Sequence, residues 1–237
     1  NFYEKLKNDF SEKVLVESGL FYLDEKKKTY VERFRDRIIF PINNISGQAI
    51  GLGGRTIQEN SYMAKYINSP ETPFFKKGSN LYNLDSARKL SNKIDHVYLV
   101  EGYMDVVGLS KNGIENVVAN LGTSLTDRQI LILNQFFEDI IVCFDGDESG
   151  YKAALRAAEN SIKELQPEKQ ISFLFLSDGE DPDSYVNKEG KANFINFTKQ
   201  AKISIHQFIF NHYKQQTENN PSSMAIFEKK LRSIAAT

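Results

Sequence analysis

The chain has little of the chemistry that marks disulfide-rich, zinc-binding or membrane proteins. It contains one cysteine, three histidines and no tryptophan in 237 residues. One cysteine excludes a disulfide within the chain, and with three scattered histidines it does not supply the ligands of a zinc site. Apolar runs stay well short of the roughly 20 residues that a membrane-spanning helix needs. The first residues also lack the pattern of a secretory signal. We therefore expect a cytoplasmic protein that contacts no membrane and has no zinc in this part.

Charge is distributed very unevenly along the chain. The net charge of −1 combines about +5 over residues 1–93, about −11 over 94–187 and about +5 over 188–237. This pattern fits a cation-binding centre with basic surroundings for phosphate groups. With 41% hydrophobic and 26% charged residues, the composition is that of a globular protein with a sizeable core.

Hydrophobic patterning predicts three segments, which are residues 1–93, 94–190 and 191–237. In the middle segment, short apolar runs at 97–100, 117–119, 140–144 and 171–176 alternate with helical patterns at 105–112, 127–137 and 151–165. Such alternation indicates a parallel sheet with flanking helices. The first segment reads as mixed α+β, with a helix over 2–20, a hairpin over 33–57 and a short helix over 84–90. The last segment is helical, and we expect it to be incomplete.

Acidic residues follow two of the predicted strands at the point where each strand ends. Glu101 follows the run 97–100, and Asp145 and Asp147 follow the run 140–144, with Asp105 close to Glu101 in the sequence. If these parallel strands are neighbours, their carboxyl ends bring the carboxylates to one edge of the sheet. Clustered carboxylates repel one another unless a cation lies among them, and hard oxygen ligands suit Mg²⁺ or Mn²⁺.

The order of these acids resembles the Toprim domain, which bacterial primases, topoisomerases and some nucleases share. The resemblance covers about residues 94–190, with the Toprim Glu at Glu101 and the Asp-x-Asp at Asp145 and Asp147, and a further Asp-x-Asp at Asp181 and Asp183. Residues 33–42 strongly resemble the RFRxRIxFPI stretch of the DnaG-type bacterial primases. Further stretches resemble the same family, namely residues 51–55, 65–72, 75–78, 101–106, 122–123 and 178–183.

The resemblance implies the RNA polymerase core of a primase, in which a Toprim-type parallel sheet follows a basic α+β subdomain and precedes a helical segment. It implies primer synthesis by two-metal nucleotidyl transfer with two or more Mg²⁺ or Mn²⁺ ions. Catalytic roles fall on Glu101, Asp145 and Asp147, and Glu101 is either a metal ligand or a general base. The implied metal ligands are Glu101, Asp105, Asp145, Asp147, Asp181 and Asp183.

The resemblance also assigns residues of the basic segment to nucleotide and nucleic-acid binding, namely Arg55, Lys65, Tyr66, Lys77 and Asn68. Lysine and arginine bind phosphates, and a tyrosine stacks on a base or sugar. Asn68 is equally interpreted as a residue that shapes its loop. Arg33, Arg35 and Arg37 alternate with other residues, so in a strand they would share one face and contact either template or neighbouring acids. Gly51, Gly53 and Gly54 predict a bulge or a close backbone approach.

The expected partners are a single-stranded DNA template and ribonucleoside triphosphates. A replicative helicase and a zinc-binding domain are partners expected of the full-length protein, since the chain includes neither of the corresponding regions. Three alternatives stay open, which are a Toprim-type metal-dependent nuclease, a topoisomerase fragment and a binding module whose acids hold nothing. A topoisomerase needs a nucleophilic tyrosine in a separate domain, whereas a nuclease would cut single strands in Mn²⁺.

Overall fold

A computed structural model of the chain describes residues 2–58, 62–122, 124–177 and 179–236. Its strands form a two-stranded, a three-stranded and a five-stranded sheet. The strands are β1 Phe21–Asp24, β2 Thr29–Glu32, β3 Arg37–Asn43, β4 Ala49–Thr56, β5 Tyr66–Asn68, β6 His96–Val100, β7 Val117–Ala119, β8 Asp139–Phe144, β9 Gln170–Phe175 and β10 Ile203–Ser204. The α-helices are α1 Phe2–Leu6, α2 Glu12–Glu17, α3 Leu84–Ala87, α4 Tyr103–Lys111, α5 Asp127–Asn134, α6 Glu148–Ser161, α7 Pro182–Ala201, α8 Ile205–Gln215 and α9 Pro221–Ala235.

The five-stranded sheet has the order β10-β9-β8-β6-β7, and its four longer strands run parallel. Strands β6 and β8 are nearly continuous apolar runs because both of their faces are covered by helices. In β6, Val97 and Leu99 face the core with helices α5, α6 and α8, while Tyr98 and Val100 face the core with α4 and α7. The predicted parallel sheet with flanking helices is confirmed, with the short antiparallel strand β10 as an addition at one edge.

Local sequence signals explain where several of these elements begin. Thr126 accepts a hydrogen bond from the Gln129 N–H, and the Gln129 side chain accepts one from the Thr126 N–H, so the two form a capping box at the start of α5. The predicted hairpin is also present, because β3 and β4 pair antiparallel around the Asn44–Gly47 turn. Gly47 in this turn has a φ of +86°, a backbone conformation that glycine adopts without strain.

Two predictions for the first segment are wrong in detail. The single helix predicted over 2–20 is two short helices, because Ser11 accepts a hydrogen bond from the Val14 N–H and starts α2 anew. Residues 33–36 form a turn rather than a strand, with Asp36 at a φ of +52°, so Arg33, Arg35 and Arg37 do not share one strand face.

The segments of the chain are joined by contacts that the sequence did not indicate. Helix α7 crosses the predicted boundary at residue 190, where Gly190 has a φ of +82° and interrupts the helical geometry. Strand β10 then returns to pair with β9 at the edge of the five-stranded sheet. The division at residues 93 and 190 stays a prediction. Within the described ranges, no helix combines the length and apolar character needed to cross a membrane.

Candidate active site

The predicted acidic residues converge at the carboxyl edge of the parallel sheet. Strands β6 and β8 are hydrogen-bonded neighbours, so Glu101 after β6 lies beside Asp145 and Asp147 after β8. Asp105 is in the first turn of α4, four residues after Glu101. The remaining pair, Asp181 and Asp183, comes at the start of α7, after the adjacent strand β9. We call Glu101, Asp105, Asp145, Asp147, Asp181 and Asp183 the acidic centre.

Three of these aspartates also fix the starts of the helices that follow the strands. Asp147 accepts a hydrogen bond of 2.6 Å from the Gly150 N–H at the start of α6, and Asp181 accepts one of 2.7 Å from the Ser184 N–H at the start of α7. Asp105 accepts one of 3.0 Å from the Gly102 N–H at the start of α4. Helix N-termini favour negative charge, so each helix holds its carboxylate at the edge of the sheet.

Glycines next to the acids allow the backbone to pack closely, a role that was not predicted from the sequence. A Cβ atom on Gly146 would lie 2.2 Å from the Leu176 carbonyl oxygen, and one on Gly150 would lie 2.3 Å from the Asp145 carbonyl oxygen. Both obstacles are backbone atoms. The spacing of these glycines around Asp147 was the available signal, because glycine in such a turn marks close backbone approach.

Burial and repulsion by neighbouring acids raise the pKa of three members of the acidic centre. Burial, followed by the charge of Asp181 and then that of Asp145, raises the pKa of Asp105 to about 7, although its bonds from backbone N–H groups oppose the shift. Partial desolvation, with the charges of Asp145 and Asp147, raises the pKa of Glu101. Desolvation, with the charges of Asp181 and Asp147, also raises the pKa of Asp145. Carboxylates that repel one another in this way favour a cation in their midst.

The donor set fits a divalent metal ion in chemical type. Carboxylate oxygens are the ligands that Mg²⁺ and Mn²⁺ prefer, and the helix-capping bonds each use one of the two oxygens of an aspartate. In the part of the chain that the structure describes, no three of these groups are already arranged around a common ion position. The acidic centre therefore supplies the donors, and their side chains would have to turn to coordinate an ion.

A basic strand pair lies beside the acidic centre. Arg55 of β4 and Tyr66 of β5 are register partners, and the Arg55 guanidinium carbon is 5.8 Å from the centre of the Tyr66 ring. The Lys65 Nζ atom lies 5.9 Å from the same ring. Burial raises the pKa of Tyr66; Arg55 opposes this shift, and the charges of Asp105, Asp181 and Asp183 add to it. The three predicted phosphate- and base-binding residues thus form one group next to the acids.

Asn68 and Lys77 are held by contacts within the protein. The Asn68 amide donates to the Leu121 carbonyl at 2.8 Å, and its Oδ1 accepts a hydrogen bond from the Tyr103 hydroxyl. At Lys77, the backbone N–H donates to Glu71 and the carbonyl accepts from Gln129. Their assignment to nucleotide binding stays a prediction, and the contacts of Asn68 agree with its interpretation as a residue that shapes its surroundings.

Two of the three early arginines bind backbone groups of the first segment. Arg33 Nε donates to the Gly19 carbonyl, and Arg37 donates to the carbonyls of Gly54 and Lys65. Arg37 therefore ties β3 to β4 and to the residue before β5. Arg35 is exposed.

Known proteins resemble the chain over both of its main parts. Residues 1–88 match the family model described as the N-terminal domain of the DNA primase catalytic core, and residues 95–175 match the model of the Toprim domain. A DNA primase of Pseudomonas putida is 41% identical over 216 residues, which are 90% of this chain and 32% of that protein. A DNA primase domain from Pseudomonas aeruginosa superimposes with a TM-score of 0.89 at 37% identity, over 94% of this chain and 70% of that one.

The chain belongs to the DnaG family of DNA primases. A further member of that family, a DnaG primase catalytic domain bound to single-stranded DNA, superimposes with a TM-score of 0.87 at 37% identity, over 95% of this chain and 70% of that one. The resemblance to DnaG primases and the Toprim-type fold are therefore confirmed. The chain spans about a third of the length of the curated primases that it matches.

Proposed function

We propose that the chain is the RNA polymerase core of a DNA primase, which joins ribonucleoside triphosphates into short RNA primers on a single-stranded DNA template. The observation that carries this proposal is the juxtaposition of the acidic centre with the basic strand pair of Arg55 and Tyr66. Nucleotidyl transfer needs cations at the reacting phosphate and positive charge along the nucleic-acid backbone, and these two surfaces lie side by side.

The acidic centre would hold two or more Mg²⁺ or Mn²⁺ ions. When bound, such ions stabilise the charge that develops on the attacking 3′ oxygen and on the departing pyrophosphate. Asp145 and Asp147 at the end of β8 supply the central oxygen donors, and Asp105, Asp181 and Asp183 add donors from the starts of α4 and α7. Glu101 is at the rim, where it acts either as a further ligand or as the base that takes the hydroxyl proton.

Arg55 and Lys65 would bind phosphates of nucleotide or template, and Tyr66 between them would stack on a base or sugar. Lys77 and Asn68 complete the nucleotide-binding set that we propose. We also propose that the protein works in the bacterial cytoplasm, with a replicative helicase and a zinc-binding domain as partners of the full-length protein. The segments 1–93, 94–190 and 191–237 are the proposed domains.

Primer synthesis by the full-length protein tests this function. We expect radiolabelled ribonucleotides to be incorporated on single-stranded DNA in Mg²⁺ or Mn²⁺, and Asp145→Asn to lower the rate at least about 100-fold, since it removes charge that the metal site needs. The matched control is Glu148→Gln, an exposed acid three residues away that pairs with Lys152. Its rate should stay within about twofold of the wild type.

The same reaction separates the proposal from a Toprim-type nuclease or topoisomerase fragment. Shortening of the DNA strand in Mn²⁺ without incorporation of ribonucleotides would favour the nuclease. A covalent protein–DNA adduct would favour the topoisomerase. An Asp145→Asn variant as active as the wild type would remove the acidic centre from the mechanism.

A further inference from the structure

The hydroxyl-bearing side chain of Tyr103 joins the acidic centre to the basic strand pair. Tyr103 is the first residue of α4, two residues after Glu101 and two before Asp105, and it is 5% exposed. Its ring packs on the three-stranded sheet of the first segment. It is therefore a direct connection between the two surfaces on which the proposed function depends.

The contacts of Tyr103 fall on one row of residues across the three-stranded sheet. Phe40 of β3, Gly53 of β4 and Asn68 of β5 are register partners in this row. The Tyr103 ring stacks on Phe40, with 5.1 Å between the ring centres and 8° between the ring planes. At the other end of the row, the Tyr103 hydroxyl donates to Asn68 Oδ1.

Gly53 leaves the space that the tip of this ring occupies. A Cβ atom on Gly53 would lie 2.6 Å from both Cζ and the hydroxyl oxygen of Tyr103. The sequence predicted a close approach at these glycines, and at Gly53 the approaching group is Tyr103. The Tyr82 ring is nearly perpendicular to the Tyr103 ring, with 4.7 Å between the ring centres.

The next pair along the same strands is the basic pair. Arg55 and Tyr66 are each two residues from Gly53 and Asn68, so their side chains lie on the same face of the sheet. The Tyr66 ring centre is 6.5 Å from that of Tyr103. A shift of Tyr103 therefore moves the pair that would bind phosphate and base relative to Glu101 and Asp105.

We propose that Tyr103 is a positioning residue, which fixes the distance between the metal-binding acids and the nucleotide-binding strand through its hydrogen bond to Asn68. This inference rests on the proposed function. Such a residue touches neither metal nor nucleotide, and it acts on the reaction by holding two binding surfaces in register. A misplacement between the two surfaces weakens productive binding of a nucleotide that must contact both of them.

The substitution Tyr103→Phe in the full-length protein tests this role, because it keeps the ring against Phe40 and Tyr82 and removes only the hydroxyl. The matched control is Tyr98→Phe. Tyr98 is 2% exposed, lies on the neighbouring strand β6 and has its hydroxyl bonded to Thr198. We expect both variants to lose similar thermal stability. Only Tyr103→Phe should raise the KM for ribonucleotides about tenfold, with Mn²⁺ binding unchanged in calorimetry.

A second variant approaches the same contact from the opposite side. Gly53→Ala leaves Tyr103 itself unchanged but forces its ring away from the sheet. It should therefore raise the KM for ribonucleotides, as Tyr103→Phe does. A KM for Tyr103→Phe equal to that of Tyr98→Phe would overturn the inference and leave the proposed function standing. Absence of primer synthesis in the wild type and in Tyr98→Phe alike would instead contradict the proposed function.

Discussion

At the scale of single residues, ionised carboxylates of the acidic centre destabilise the folded chain. Asp105 is 9% exposed and lies among other carboxylates, and its pKa is raised to about 7 for that reason. A carboxyl group whose pKa is higher in the folded than in the unfolded chain destabilises the fold once it ionises. The protein therefore keeps at this position a group that lowers its stability at neutral pH, as expected of a site meant for a cation.

Stability should consequently fall as pH rises through the range in which Asp105 ionises. Below its ordinary value of 3.8 the group is protonated in both states and costs nothing; between 3.8 and about 7 the folded chain binds more protons, so the free energy of unfolding decreases. Asp105→Asn should remove this decrease and be more stable than the wild type at pH 8 by on the order of 2–4 kcal/mol.

Urea unfolding without divalent ions at pH 3.5, 5.5 and 8 measures the difference. Asp9→Asn is the control, because Asp9 is exposed in the first segment. If the stability difference between Asp105→Asn and the wild type were the same at pH 3.5 and at pH 8, the burial and repulsion inferred for this carboxyl group would be contradicted.

At the scale of elements, the acidic centre depends on how tightly the turn after β8 packs against the chain that follows β9. Gly146 is the point of contact, because its missing side chain lets the turn reach the backbone at Leu176 and Ser177. The sequence predicted both strands and the acids between them. The contact was not predictable from local patterning, because it joins residues 30 apart that only the sheet brings together.

We expect Gly146→Ala to displace Asp145 and Asp147 together. The new methyl group would overlap backbone atoms that cannot rotate away, so the loss of stability should be at least about 2 kcal/mol. Primer synthesis should fall by more than that loss explains when it is measured well below the unfolding temperature. Gly78→Ala is the control, since the nearest atom to its Cβ is 3.4 Å away. Equal stability of the two variants would show that the turn has room to move.

The elements that the sequence predicted best are those whose cause is local. The strand at Val117–Ala119 follows from an apolar run, and the hairpin turn after β3 follows from glycine in a turn. The errors have equally local causes, because Ser11 restarts a helix and Asp36 turns the chain. Strand β10 has only two residues, too few for a pattern, and its pairing depends on β9.

At the scale of the whole molecule, the basic first segment and the acidic middle segment contribute adjacent surfaces to the candidate site. The order of the acids was predictable because parallel strands end at a common edge. The packing of the basic strand pair against that edge was not, since it depends on Tyr103 reaching across to Phe40 and Asn68. Long-range contacts of this kind leave no periodic signal in the chain.

This arrangement predicts that nucleotide and template respond differently to divalent ions. The acidic centre repels a triphosphate unless cations neutralise it, so nucleotide binding should require Mg²⁺ or Mn²⁺ and weaken at least about tenfold in EDTA. Template binding comes from Arg55, Lys65 and their neighbours, so it should change little in EDTA. It should instead weaken steeply with salt, by roughly 0.7 in the log–log slope for each phosphate contact.

Fluorescence anisotropy with a labelled single strand and with a labelled ribonucleotide, each with and without EDTA, measures both dependences. Lys65→Ala should lower the salt slope for the template by about one contact and leave the metal requirement of the nucleotide unchanged. Asp145→Asn should leave the salt slope for the template unchanged and alter the dependence of nucleotide binding on divalent ions. Tight nucleotide binding in EDTA that is insensitive to Asp145→Asn would mean that the triphosphate lies away from the acidic centre, on the basic surface alone.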